Sequence, residues 1–519
     1  MNKTTFANAA RSSAIRSSSM TRTENGATAL KSTGSDLLNF FANAAAMRTR
    51  SEQEIANLFA KAFAEDALLA VKMAFWLRNV RGGAMERRAF RIVLQWMAAN
   101  AVEWIEANIA LIPEFGRWDD LYELAAYPRA WLVASRLIRD QIRSDVLAAK
   151  MNKPVSLCAK WLKSVNTSSA ESNHLGKLTA KSIGYDEREY RKMLSALRSR
   201  ANVVETQMSA GNFSEIDYEK VPSQAMKLYR DAFKKHNPER FVTYNKAVAN
   251  GEAVIHSAAL APYEILRSAK MSYSGYGWSW NRNENKSECF TLEGWDETLE
   301  NQWNALPNWI KGENSALVVE DTSGSMFSNE EGTPAVAAAA LNIYFAERNK
   351  GPYANLGITY SSTARWIDFS GAKTLKEKVE RIPAIVENTN LESVFDLILK
   401  LAIKNNIAPE DMVKTLIIVS DGQMDSQMEV NLDETFHDAM ERKFQAKGYA
   451  LPEIVYWQVC SREMSMQADR NTPGVKLVSG KSAALFKNII ESASTDPYTF
   501  MLEVLNSDAY SVVRDPRFM

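Results

Sequence analysis

The chain has 519 residues, of which 46% are apolar and 24% charged, and its formal net charge is zero. This composition is typical of a folded, soluble globular protein and excludes a disordered or collagen-like chain, while the length indicates two or three domains. Because no apolar run reaches the ~18 residues of a membrane span and the N-terminus lacks the apolar segment of a signal peptide, we expect a cytoplasmic protein.

The first 310 residues fall into stretches of different composition and periodicity. Residues 1–34 are rich in Ser, Thr, Ala and Asn without a sustained apolar period, which predicts a flexible N-terminal arm. From Asp36 onward, apolar residues recur at helical spacing in short segments separated by polar turns. We therefore assign 35–310 to an all-α, HEAT-like array that can close into a ring, with a compact helical bundle as the open alternative. Within it, the polar, Gly-containing stretch 270–310 predicts an irregular excursion.

The pattern after residue 310 is that of a parallel sheet. Short apolar runs alternate with helical stretches, which is the signature of a doubly wound α/β domain, assigned to 311–519. The predicted strands are 316–319, 356–359, 415–419, 454–459 and 475–478. The predicted helices between and after them are 335–348, 375–381, 391–404, 432–447 and 483–492.

Charge is unevenly distributed along the chain. Residues 1–310 carry 41 basic and 33 acidic side chains, whereas residues 311–519 carry 21 and 29. The basic excess is highest in residues 151–200, with 10 basic against 4 acidic side chains. A basic half indicates a polyanionic partner, although two oppositely charged halves would also attract each other across a domain interface.

Three loops of the predicted α/β domain carry oxygen-bearing side chains. They are Asp321-Thr-Ser-Gly-Ser325, Glu387-Asn-Thr-Asn390 and Asp421-Gly-Gln-Met-Asp425. Ligands of open α/β sheets bind at the carboxyl ends of the strands, and hard oxygen donors suit Mg²⁺. The loops therefore predict a site for Mg²⁺ or another divalent cation. The competing explanation for the first loop is that its side chains only cap the next helix.

The first loop resembles a known metal site. Asp321, Ser323 and Ser325 match the Asp-x-Ser-x-Ser core of the metal-ion-dependent adhesion site of von Willebrand factor A domains. The resemblance implies Thr389 as the second-loop ligand and Asp421 as the third-loop ligand, the latter through water. It also implies that a partner's carboxylate completes the coordination. The chain departs from the family where Glu387 and Asn388 precede the threonine, because the family often has Gly-Gly there.

A helical array followed by such a domain resembles the Ro autoantigen family, in which a TROVE module forms a ring of HEAT-like helices. It is most similar to a TROVE-like group found in phages, bacteria and plants. The resemblance spans most of residues 25–495 and is carried in the helical half by 25–27, 76–83, 86–88, 112–121, 156–162 and 221–225. It implies binding of noncoding RNA, with single-stranded ends in the ring and structured RNA on its basic outer surface.

Phosphate contacts require clustered Arg and Lys, and unpaired bases stack on aromatic rings or guanidinium planes. The candidate RNA-binding residues lie near Trp76, Trp118 and Trp161 or on a basic helix, and are Arg78, Arg81, Arg87, Arg88, Arg117, Lys160, Lys163, Arg191 and Arg198. For any one of them, packing, a cation–π contact inside the fold or a solvated helix face is the preferred explanation, whereas the basic surface as a whole is favoured as an RNA contact.

The favoured function is that of an RNA-binding scaffold, not an enzyme, which captures structured or misfolded noncoding RNA and uses a metal-dependent domain to bind a protein partner. The alternative is a metal-dependent protein–protein adaptor without an RNA role. A metal-dependent nuclease is least favoured, because a single hydroxyl-rich loop lacks the clustered carboxylates of a two-metal site. Asp421 and Asp425 are the only carboxylate pair that suggests such chemistry.

Overall fold

A computed structural model of the chain describes residues 19–201, 203–272, 289–425, 434–462 and 464–518. Contacts between residues divide the chain into two compact units. The sheet unit combines the described residues up to Asp66 with Leu260–Ser507, and the helical unit combines Ala67–Ala259 with the residues from Asp508 onward. This division differs from the predicted boundaries at 34 and 310, because the chain contributes to each unit twice.

The strands of the described residues form three sheets. Two antiparallel pairs consist of β1 (Met20–Arg22) with β2 (Thr28–Leu30) and of β3 (Lys270–Ser272) with β4 (Thr291–Glu293). The third sheet has six strands, which are β5 (Ala316–Asp321), β6 (Leu356–Tyr360), β7 (Ala364–Asp368), β8 (Thr415–Ser420), β9 (Glu453–Gln458) and β10 (Val475–Ser479). Of the predicted excursion 270–310, residues 273–288 lie outside the described residues. Its described part contains β3, β4 and the helix Glu297–Asn304, so the prediction of an irregular stretch is wrong there.

The helices occur before, between and after these strands. The sheet unit begins with α1 (Asp36–Asn43) and α2 (Glu52–Glu65). The helical unit contains α3 (Ala67–Arg78), α4 (Arg88–Asn100), α5 (Val102–Asn108), α6 (Leu111–Phe115), α7 (Pro128–Lys150), α8 (Cys158–Trp161), α9 (Ala170–Ile183), α10 (Glu187–Arg200), α11 (Val204–Ser209), α12 (Ser223–His236) and α13 (Pro238–Ala249). The sheet unit continues with α14 (Pro262–Ser268), α15 (Glu297–Asn304), α16 (Gly324–Ser328), α17 (Thr333–Arg348), α18 (Leu375–Val379), α19 (Glu392–Lys404), α20 (Phe436–Gln445), α21 (Leu485–Glu491) and α22 (Pro497–Leu505). Of the helices described, none combines the length and the apolar character that crossing a membrane requires.

The order of the six-stranded sheet places two strand ends side by side. The order is β10-β9-β8-β5-β6-β7, and all neighbours are parallel except β6 and β7. From β5 the chain adds β6 and β7 on one side and then β8, β9 and β10 on the other, so the topological switch point lies between β5 and β8. The predicted C-terminal sheet of mostly parallel strands is confirmed, whereas the antiparallel edge strand β7 was not predicted.

The N-terminal segment is part of the sheet unit from residue 19 onward. Leu30 and Met466 exchange backbone hydrogen bonds of 2.8 and 2.9 Å, which attach β2 to the loop after β9. Helix α1 lies against β10, where the Ser479 hydroxyl donates to the carbonyl of Phe41 at 2.8 Å. The prediction of a flexible arm is therefore wrong for the segment from β1 to β2, because these strands are paired; residues 1–18 lie outside the described residues.

The helical unit is organised around a buried ion pair. The carboxylate of Asp120 is fully buried and accepts hydrogen bonds from Arg78 Nε at 2.8 Å, Arg91 Nε at 2.7 Å and the backbone N–H of Arg117 at 3.0 Å. Gly116 closes this cluster, because a Cβ there would lie 2.6 Å from Asp120 Oδ2. Asp120 thus joins the ends of α3 and α4 to the turn after α6.

The C-terminal residues return to the helical unit. Tyr510 stacks on Phe115 with ring centroids 5.7 Å apart, and its hydroxyl accepts a hydrogen bond from Asn79 Nδ2 at 3.1 Å. The backbone N–H of Arg514 donates to Asn108 Oδ1 at 2.8 Å. These contacts stabilise α3, α5 and α6 from a point about 400 residues away in sequence, as the positions of Asn108 and Arg514 show.

Replacing Asp120 by Ala is expected to lower the free energy of unfolding of the helical unit by about 3–5 kcal/mol, because Arg78 is left as a buried charge without its carboxylate. Urea denaturation of the full chain measures this as a lower midpoint. Asp140→Ala is the matched control, since Asp140 is exposed and its pair with Arg139 spans 3.6 Å. Equal midpoints for the two variants would show that the buried pair does not stabilise the unit.

Candidate metal centre

The first loop leaves β5 at the switch point with its carboxylate turned inward. Asp321, the last residue of β5, is fully buried, and its Oδ1 accepts the backbone N–H of Ser323 at 2.8 Å. Its Oδ2 accepts the hydroxyls of Ser420 at 2.6 Å and Tyr360 at 3.2 Å. The hydroxyls of Ser323 and Ser325 lie 3.2 Å apart at the start of α16. Three of the five predicted ligands are therefore grouped on one short turn.

The second and third loops are bound to the first and to each other. Gly324 N–H donates to the carbonyl of Glu387 at 3.0 Å, which fixes the second loop against the first. Thr389 and Asp425 are joined twice, by Thr389 N–H to Asp425 Oδ2 at 2.8 Å and by Asp425 N–H to the Thr389 carbonyl at 3.1 Å. The structure thus brings the three predicted loops together. It uses Asp425 to position the second loop.

The electrostatics of the site are those of two acids held close together out of water. Burial and the negative charge of Asp321 raise the pKa of Asp421 to about 7, although a hydrogen bond from Ser325 acts in the opposite direction. Burial also raises the pKa of Asp321. Asp421 Oδ1 accepts the N–H of Gln423 at 3.2 Å, but its buried Oδ2 has no hydrogen-bond partner in the described part of the chain. No hydrogen bond from the described residues therefore offsets the negative charge at that oxygen.

These residues fit a divalent cation. Two facing carboxylates with an unpartnered buried oxygen, beside two adjacent hydroxyls, form an all-oxygen donor set of the kind that Mg²⁺ prefers. Asp321, Ser323, Ser325, Thr389 and Asp421 are the residues that would hold it, and a bound cation would offset the repulsion between the acids. Within the described ranges, no three His, Cys, Asp or Glu side chains group as metal ligands, and the present set combines two carboxylates with hydroxyls.

The N-terminal turn between β1 and β2 is a part of the site that the sequence did not reveal. The buried Thr23 hydroxyl donates to the carbonyl of Met424 at 2.6 Å, and Glu24 N–H donates to Gln423 Oε1 at 2.9 Å. Gly26 pairs with Asp425 as an antiparallel bridge. The turn therefore contacts the third loop through the loop's backbone at Met424 and Asp425 and through the side chain of Gln423. Through Asp425, that loop in turn holds Thr389.

Two further residues position Asp321, and one of them was within reach of sequence reasoning. Ser420 immediately precedes the predicted ligand Asp421 at the end of β8, so a hydroxyl beside the site was to be expected. Tyr360 ends the neighbouring strand β6 and is fully buried. Its contact with Asp321 depends on the pairing of β5 with β6, which no local pattern shows. The Thr23 contact spans 401 positions and has no local signal either.

Several predicted RNA-binding residues are engaged inside the helical unit. Arg78 is buried and paired with Asp120. Arg198 donates to the carbonyls of Ala159 at 2.9 Å and Leu162 at 2.7 Å, so its guanidinium caps the end of α8. Arg117 pairs with Asp119 at 2.7 Å and covers the Trp161 ring at 4.0 Å. The structure gives these three arginines packing roles instead of exposed phosphate contacts.

The other candidates are nearer to solvent. Arg81, Arg87 and Arg191 are exposed, while Arg88, Lys160 and Lys163 are half-buried. Burial lowers the pKa of Arg87, and the neighbouring Arg117 and Arg91 lower it further, while Asp119 and Asp120 act in the opposite direction. Lys160 lies 3.5 Å from Glu205, and Lys163 lies over the Tyr122 ring. These six residues are scattered along the sequence, and three of them, Arg81, Arg87 and Arg191, have exposed side chains.

Comparisons with known proteins extend over both units. Residues 315–510 match the model of a domain of unknown function, DUF7788, and residues 23–128 and 167–315 match that of a second, DUF2828. The chain is also 28% identical over 530 residues to "Uncharacterized protein L728" of Acanthamoeba polyphaga mimivirus, which covers 93% of this chain and 86% of the viral protein. The first match includes all three loops, and the second begins at Thr23 of the N-terminal turn.

Replacing Thr23 by Val is expected to make the backbone amides of Gly422–Asp425 exchange roughly tenfold faster, because the loss of buried hydrogen bonds costs about 1–3 kcal/mol. Hydrogen exchange followed by mass spectrometry measures the effect. The control is Thr21→Val, since Thr21 lies in β1 and makes no hydrogen bond to the third loop in the part of the chain that is described. Unchanged exchange in Thr23→Val would mean that the turn does not hold the loop.

Proposed function

We propose that this protein is an RNA-binding scaffold whose sheet unit is a von Willebrand A-type domain that binds a protein partner through a divalent cation. The observation that carries the metal-dependent half is the meeting of Asp321 and Asp421 at the switch point, with one buried carboxylate oxygen unpartnered among the described residues. A hydroxyl-rich site of this kind binds a cation with open positions, which suits capture of a partner's carboxylate better than hydrolysis.

The RNA-binding half rests on charge. With the bounds seen in the structure, the helical unit carries 31 basic and 22 acidic residues, an excess of 9 positive charges. The excess in residues 1–310, the half predicted from the sequence, is 8. Such a field favours a polyanion, and exposed arginines such as Arg81 and Arg87 supply phosphate contacts on its surface. A TROVE-like ring of HEAT-like helices is the architecture we propose for this unit.

The metal site is tested by Asp421→Asn in the full chain. In the wild type, Mg²⁺ is expected to raise the melting temperature, because it binds the folded site alone. The variant should melt no lower than the wild type without metal, since the substitution removes one of two mutually repelling buried charges, and it should lose the Mg²⁺-induced rise. Differential scanning calorimetry with and without Mg²⁺ measures both effects.

Asp411→Asn is the matched control for this experiment, because Asp411 is exposed and lies before β8, at the opposite edge of the sheet from the site. It should retain the full Mg²⁺-induced rise. A wild-type protein that Mg²⁺ does not stabilise, or an Asp421→Asn variant that keeps the rise, would refute the metal site.

The RNA-binding half is tested by changing Arg81 and Arg87 together to Glu. Binding of single-stranded and structured RNA should weaken irrespective of sequence, and the slope of log K against log salt concentration should fall in magnitude by about 2, roughly 1 per lost phosphate contact. The control pair is Lys404→Glu with Lys447→Glu, which makes the same charge change on exposed residues of the sheet unit. Equal losses in both variants, or no binding by the wild type at low salt, would contradict the proposal.

A further inference from the structure

The helical unit contains an open pocket of 930 Å³ between α8 and the α10–α11 segment. Its wall is built by a close approach of backbone, because Gly176 of α9 packs so tightly on the segment after α8 that a Cβ would lie 2.6 Å from the Ser164 carbonyl. Arg198 fixes the same segment through Ser164 Oγ at 2.9 Å and the Leu162 carbonyl at 2.7 Å. The packing of Gly176 and the hydrogen bonds of Arg198 thus fix the backbone segment that forms this wall of the pocket.

Four cationic side chains line the pocket. Arg191 and Lys192 are exposed on α10, and neither forms an ion pair within the described residues. Lys160 lines the pocket from α8 and lies 3.5 Å from Glu205, and Arg198 is already bound to carbonyls. Arg191 and Lys192 are therefore the two cations available to an anion. Two neighbouring cations suit a phosphate group, which accepts several charge-assisted hydrogen bonds.

One acidic side chain and one aromatic ring also line the pocket. Glu205 lines the pocket, and its buried Oε2 lies 3.5 Å from Lys160 Nζ without making a hydrogen bond there. That oxygen is an acceptor for a hydroxyl or amino group of a ligand. Trp161 also lines the pocket, and the Arg117 guanidinium 4.0 Å from its ring centre holds the ring in place. The ligand therefore combines an anion, a hydrogen-bond donor and a flat apolar part.

We propose that this pocket binds a nucleoside monophosphate unit, with the phosphate at Arg191 and Lys192, a donor group at Glu205 and the base or sugar against Trp161. A volume of 930 Å³ accommodates one or two such units. The unit is either a free nucleotide or the 5′-phosphorylated end of an RNA strand, and in the second case the inference rests on the proposed RNA binding.

The experiment is isothermal titration of the full chain with 5′-AMP, adenosine and inorganic phosphate. AMP should bind more tightly than either fragment. Arg191→Glu with Lys192→Glu should weaken AMP about tenfold or more, as expected for the loss of charge-assisted contacts. The matched control, Lys181→Glu with Arg188→Glu, changes exposed basic residues of α9 and α10 outside the pocket and should bind AMP as the wild type does.

Glu205→Gln gives a readout of opposite sign for two ligands. Removing the acid should strengthen the binding of inorganic phosphate, because a nearby negative charge is lost, and it should weaken AMP, because its donor group loses a charged acceptor. Ligand-free melting temperatures within error of the wild type show that the variants are folded. AMP binding no tighter than that of phosphate, or equal losses in the pocket and control variants, would overturn the proposal.

A pair of short RNAs, identical except for a 5′-phosphate or a 5′-hydroxyl, distinguishes the two sources. A preference for the phosphorylated RNA that is lost in Arg191→Glu with Lys192→Glu supports an RNA end as the occupant, whereas AMP binding without that preference supports a free nucleotide. If neither AMP nor the 5′-phosphate is recognised while unphosphorylated RNA still binds, the pocket proposal fails and the proposed RNA-binding function stands.

Discussion

The sheet unit depends on the placement of two acids at the end of adjacent strands. β5 and β8 are parallel neighbours at the topological switch point of the sheet, so their carboxyl ends lie side by side at one edge of the sheet. Asp321 ends β5 and Asp421 directly follows β8, and both are fully buried. Forming the sheet therefore forces two carboxylates together away from water, which is costly unless a cation or donors compensate.

The surrounding residues provide part of that compensation. Hydroxyls of Ser420 and Tyr360 bond to Asp321, and Ser325 bonds to Asp421. Arg462 lowers the pKa of Asp421 from a distance and is itself paired with Glu24 of the N-terminal turn at 3.0 Å. Residues separated by about 400 positions thus cooperate in one site. A fragment beginning at β5 would lack the turn that holds the third loop.

The features that could be predicted from the sequence are those that a local pattern of residues determines. β5 and β8 are buried along nearly their whole length, so they are continuous apolar runs and were predicted within two residues. β7 is an edge strand whose residues are largely half-buried or exposed, among them Arg365, and it has no such pattern. The first loop was predicted because its three candidate ligands, Asp321, Ser323 and Ser325, lie within five positions.

The remaining features depend on contacts between distant residues. The sequence around Arg78 suggests a basic surface, yet its partner Asp120 lies 42 positions away and turns that arginine inward. Arg198 is likewise engaged by carbonyls 36 and 39 positions earlier. The three-residue strands β1 and β2 are too short to show a period, so the segment was predicted as flexible. Burial and pairing, which decide whether an arginine meets a ligand, are tertiary properties.

The most direct test of the central claim is an anomalous difference map from a crystal of the full chain grown with Mn²⁺ as a substitute for Mg²⁺. We expect one peak among the oxygens of Asp321, Ser323, Ser325, Thr389 and Asp421, within direct or water-mediated reach of each. A map with no peak at this edge of the sheet, or with its peak elsewhere in the chain, would contradict the assignment of these loops to a cation.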